Sequence, residues 1–143
     1  MTKAWEQALR DNRQSVLDGW SAGASSLLSG GTSSPVSEAL TVELGRLLDA
    51  MVAGDPVDEP LSRLTRIMAV QDLPPSKSLS LLFGIVPLCG GLSADARDHF
   101  RARVEELALQ AFDSFMKHRE TIYQLKVDEG RRRMHMALRR AEA

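Results

Sequence analysis

Three histidines, one cysteine and two polar clusters are the residues of this chain whose types suit chemistry. His99, His118 and His135 carry imidazoles, the commonest metal ligands and proton carriers near neutral pH. Ligands on one helical face stand three or four residues apart, whereas these stand 19 and 17 apart, so only tertiary folding would unite them. Each therefore reads as a hydrogen-bonded structural histidine, and no metal ion or other cofactor is expected. Cys89 follows an apolar segment and precedes Gly90 and Gly91. A helix C-terminus disfavours a thiolate, which argues against a reactive thiol. Serines, histidines and aspartates are present without a Gly-x-Ser-x-Gly elbow or a similar frame, so no catalytic residue is assigned and no enzyme is expected. Gln71, Asp72, Ser76 and Lys77 form a polar group at a helix junction, suited to a small ligand or a partner, or to helix capping alone. Phe115, Lys117, Arg119, Glu120, Ile122 and Tyr123 occupy the stretch where a long helix would leave the body, suited to a dimer contact or a signalling helix.

The elements that would position these groups are helices throughout. Residues 3–22 repeat apolar positions at Trp5, Ala8, Leu9, Val16, Leu17 and Trp20, which predicts one amphipathic helix. The run 24–34, ASSLLSGGTSS, predicts a loop. Ser34 before Pro35 predicts a capped helix start, with proline in a position that needs no amide. That helix runs to about Ala53 with Leu40, Leu44, Leu47, Leu48, Met51 and Val52 on its apolar face, and Gly54, Asp55 and Pro56 end it. A third segment, 58–70, places Leu61, Leu64, Ile67 and Met68 together. After Pro74 and Pro75, residues 76–88 predict a buried helix that Pro87 kinks or ends. Ser93 then caps a longest helix running to about Glu129, with an apolar band from Phe100 to Met116 and a charged end that leaves the core. The expected fold is all-α: a compact helical bundle with a long C-terminal helix, divided into residues 1–130 and a basic helical tail, 131–143.

Composition sets bounds on function. The 143 residues are 43% apolar with a net charge of -1, enough for one domain with its own core and without the overall charge that nucleic acid or an anionic membrane would call for. A single cysteine excludes a disulfide framework within the chain. The apolar run 79–89 is broken by Ser80, Gly84 and Pro87, well short of the roughly 20 residues a membrane span requires, and residues 1–10 lack the pattern of a secretory signal. A cytoplasmic protein is expected. Charge is nevertheless uneven. Residues 117–143 hold eight Lys and Arg against four Asp and Glu, net +4, and residues 1–116 hold ten against fifteen, net -5. Nucleic acid is not expected at the basic tail, since no aromatic residues interleave with its arginines. A solvated helix or an acidic protein partner is the simpler reading. Leu107, Ala111, Phe115, His118, Ile122 and Leu125 form a seam long enough for pairing with a second copy, so a homodimer is expected.

Two stretches carry a resemblance. Residues 63–82, RLTRIMAVQDLPPSKSLSLL, and 107–133, LALQAFDSFMKHRETIYQLKVDEGRRR, together with Pro35-Val36, resemble the N-terminal sensory domain of the RsbRD-type RsbT co-antagonist proteins of bacterial stress-signalling complexes. The match rests on Ile67, Ala69 to Asp72, Pro75-Ser76, Ala111-Phe112-Asp113, Met116-Lys117, Arg119-Glu120 and Ile122-Tyr123. The resemblance implies a non-enzymatic regulatory domain, globin-like without haem and dimeric, acting through an unidentified signalling protein. Its alternative is a globin-like sensor of a small ligand or haem. Family members carry a STAS domain after this one, and only three residues follow Arg140 here, so a stand-alone domain is expected. Pro74 replaces a small hydroxyl residue that caps a helix in relatives, and Asp72 is expected to cap in its place, contributing about 0.5 to 2 kcal/mol.

Overall fold

A computed structural model describes residues 4–28, 35–71 and 73–143. All regular structure among them is helical: α1 (Ala4–Asp11), α2 (Arg13–Leu27), α3 (Pro35–Ala53), α4 (Asp58–Val70), α5 (Pro75–Phe83), a single 3-10 turn (Val86–Leu88) and α6 (Ala94–Glu142). The all-α class and the long C-terminal helix follow directly. Among the described residues no helix is long and apolar enough to cross a membrane.

The first expected helix is two. Its hydrogen bonding passes through Asn12, whose amide and Nδ2 both donate to the Ala8 carbonyl at 3.1 and 3.0 Å. A side chain competing for a backbone carbonyl bends a helix, and Asn12 sits at φ -115°, ψ 24°. The bend lets Trp5 and Leu9 of α1, then Val16, Leu17 and Trp20 of α2, reach the same core. Beyond the bend α2 continues to Leu27, four residues into the expected loop. Residues 29–34 of that loop, with the expected Ser34 cap, lie outside the described residues, as does Asp72. Pro35 opens α3, and Gly54 closes it at φ 74°, a left-handed conformation that glycine adopts without steric cost.

The segment after the two prolines also departs from expectation. α5 stops at Phe83, and Val86–Leu88 form the 3-10 turn, with Leu88 donating to Ile85 at 3.1 Å. Pro87 lacks the amide that a continuing helix requires. The helix is buried on one side only: Ser78, Leu81 and Leu82 face inward, while Phe83 is 42% exposed. Trp20 ties α2 to this segment, its Nε1 donating to the Leu81 carbonyl at 2.7 Å in a buried bond.

Ser93 caps α6 by accepting from the Ala96 amide at 3.2 Å. Phe100, Val104, Leu107, Ala111 and Phe115 bury one face of α6, so the seam expected to pair with a second copy is taken up by the chain's own core from Leu107 to Phe115, and Phe100 stacks on Trp5 with ring centroids 5.3 Å apart. Phe112 and Met116, expected in this band, are 43% and 39% exposed on its outer flank. The helix runs 49 residues and passes Glu129 without a break, about 73 Å at 1.5 Å per residue. Good helix formers and local pairs carry it through Gly130: Gln124 with Asp128 at 3.0 Å, and Arg133 with Glu129 four residues before it. The basic tail is therefore the end of α6.

Candidate functional site

α6 leaves the body where α4 ends and α5 begins. Arg119 fastens that point: its guanidinium donates to the Leu73 carbonyl at 2.6 Å and lies 4.8 Å from the centre of the Phe115 ring one turn earlier. A charged donor on a half-buried carbonyl is among the stronger hydrogen bonds of a protein, and the ring face adds attraction for the cation. One arginine thus couples the linker after α4 to the axis of α6.

Beside this contact lies an open groove of about 480 Å³, lined by Ala69, Val70 and Pro75 on one wall and by Phe115, Met116, Arg119, Ile122, Tyr123 and Lys126 on the other. Its walls are apolar and its two cations stand on α6. Four of the six residues expected on the signalling helix, Phe115, Arg119, Ile122 and Tyr123, line it. Gln71, Ser76 and Lys77 do not. All three are exposed: Gln71 ends α4 with its amide donating to Ile67 at 3.2 Å, and the Lys77 amide donates to Pro74 at 3.0 Å. The polar junction thus surrounds helix ends, and the apolar residues next to it form the concavity. Glu120 is exposed on the outer side of α6.

Lys117 belongs to a second, polar cleft of about 380 Å³ between α4 and α6, shared with Asp58, Ser62, Gln110, Asp113, Ser114 and His118. His118 Nε2 lies 3.0 Å from the Ser62 carbonyl, and carrying the proton it donates there. The Ser62 and Ser114 hydroxyls stand 3.4 and 3.5 Å from the same nitrogen, and Ser114 meets the Thr65 hydroxyl at 2.8 Å. This arrangement holds α4 to α6 with a set of mutually satisfied polar groups. The signal for it in the sequence was Ser62 and Thr65 facing Ser114 and His118 at helical spacing on two helices. His118 accordingly serves in a helix-to-helix contact.

The other tempting residues lie apart. His99 is exposed near the start of α6, with Nδ1 2.8 Å from the Asp95 carbonyl, and His135 is exposed near its end. No three His, Cys, Asp or Glu side chains gather in a way that would hold a metal ion among the described residues. Cys89 is 3% exposed. Burial pushes its thiol up from the ordinary range, an effect that nearby Arg97 offsets only in part, so the thiolate that redox chemistry requires is suppressed.

Comparison of the chain with protein-family models, with curated proteins and with solved structures found no match.

Proposed function

We propose that this chain is a cytoplasmic, non-enzymatic regulatory module that works through protein contacts as a homodimer, like the sensor half of the RsbRD-type co-antagonists it resembles. In this reading the groove beside Arg119 receives the signal and the projecting part of α6 delivers it. One observation carries the proposal: α6 is a single unbroken helix whose first half packs in the core and whose second half exposes Tyr123, Leu125, Met134, Met136 and Leu138, each at least 55%. Scattered exposed leucines are ordinary, but on this protruding helix Tyr123, Met134 and Leu138 share one side, a stripe made to be covered, while Leu125 and Met136 lie on the other. A rigid rod anchored at Arg119 transmits any displacement at the α4–α5 junction along its axis.

A second reading, a sensor of a small anionic ligand with an apolar body, draws on the same groove, where Arg119 and Lys126 flank apolar walls. Native mass spectrometry of freshly purified protein separates the two. A bare dimer is the outcome expected of the contact module. Added mass on the protein moves the assignment to the ligand sensor, and a bare monomer contradicts the homodimer.

A further inference from the structure

We infer that the outer face of α6 pairs with the same face of a second copy in antiparallel orientation. The inference rests on the homodimer reading above and adds the surface, the direction and the charge logic.

Phe112, Tyr123 and Met134 stand eleven residues apart, as do Met116, Val127 and Leu138. Eleven residues make three turns at 3.67 per turn, close to the 3.6 of a relaxed helix, so the six residues hold one side of the helix over its length. That side is turned away from the core face of Phe100, Val104, Leu107 and Ala111, with Phe112 at its edge and Met116 and Tyr123 where it borders the groove. Phe112, Met116, Tyr123, Met134 and Leu138 are 43%, 39%, 70%, 68% and 58% exposed. The stripe thus continues from the projecting end down onto the folded body.

The stripe is symmetric when reversed about position 125. Phe112 then falls opposite Leu138, Met116 opposite Met134, and Tyr123 opposite Val127, so an antiparallel pair meets apolar with apolar along its whole length. Charge selects this direction over the parallel one. Residues 117–143 carry net +4 and residues 1–116 net -5. Parallel pairing would lay two cationic ends side by side and two anionic bodies side by side. Antiparallel pairing lays each cationic end along the anionic body of the other copy, and brings Glu120 of one beside Arg131 of the other.

Nitroxide labels on Ala137→Cys in a Cys89→Ala background measure the direction by pulsed electron resonance on the full chain. The antiparallel register puts the two positions about 36 Å apart along the axis and helix axes about 10 Å apart, giving a distance near 37 Å. A distance below about 25 Å means parallel pairing and overturns the direction while keeping the dimer; no intermolecular distance overturns the homodimer itself. Sedimentation of the unmodified protein provides a second arm. Raising NaCl from 50 to 500 mM weakens an antiparallel dimer at least about threefold, because it screens attraction between unlike ends. A dimer that tightens with salt contradicts the proposed direction.

Discussion

Replacing Arg119 with methionine keeps most of the apolar stem and deletes the guanidinium that binds the Leu73 carbonyl at 2.6 Å and covers Phe115 at 4.8 Å. A hydrogen bond from a charged donor contributes about 1.5 to 3 kcal/mol, and a half-exposed cation over a phenyl ring about 0.5 to 1. The retained stem contacts leave burial nearly unchanged, so the expected loss is about 2 to 4 kcal/mol. For a domain of this size each kcal/mol moves Tm by roughly 3 °C, so the midpoint falls by about 6 to 12 °C. Urea denaturation followed by circular dichroism measures the free energy, and calorimetry the midpoint. Arg119→Lys keeps the charge without the planar fork and recovers only part of the loss. A methionine variant within about 0.5 kcal/mol of the parent would refute the claim that Arg119 fastens the junction to α6.

Trp20→Phe removes the buried donor to the Leu81 carbonyl and is expected to cost about 1 to 3 kcal/mol, read from the same denaturation curves; no change would mean that the carbonyl finds another donor. Cys89 is expected to resist alkylation in the native protein and to react once urea unfolds it. Its thiol is raised in the folded state, so its contribution to stability is complete below the unfolded pKa of about 8.5 and is lost as pH rises from there through the folded value. Denaturation midpoints measured from pH 7 to 10 should therefore fall less steeply for Cys89→Ala than for the parent.

Periodicity made most of the fold legible. The leucines of α3 and α4 recur at helical spacing, and Ser93 announces the start of α6 through a cap that the structure contains. The bend at Asn12 was hidden because it arises from one side chain competing with its own backbone, and the residues on both sides keep a continuous apolar pattern. Pro87 foretold the end of regular helix near Leu88, but the exposure of Phe83 depends on which side of α5 finds Trp20 and α6, a tertiary matter. The breaker-free run carried the expected helix only to about Glu129, before Gly130. Helix propensity and pairs such as Arg133 with Glu129 outweigh it, because a helix needs no core beneath it to continue.

Of the candidate site, the α6 half was legible and the junction half only in outline. Arg119, Ile122 and Tyr123 lie together because they recur at three and four residues, a relation the sequence displays. Gln71, Ser76 and Lys77 drew notice through their polarity, yet the concavity beside them is formed by Val70 and Pro75. The Leu73 carbonyl that receives Arg119 stands 46 residues away in sequence, and no periodicity links a side chain to a distant backbone oxygen.

The central claim, that the outer face of α6 is a contact surface, is tested most directly by sedimentation of the full chain and of Tyr123→Glu. Tyr123 is 70% exposed at the rim of the groove, so a carboxylate there leaves the core untouched and faces whatever covers the helix. The parent is expected to be a dimer and the variant a monomer of unchanged helical content. A monomeric parent, or a variant that dimerises as the parent does, would contradict it.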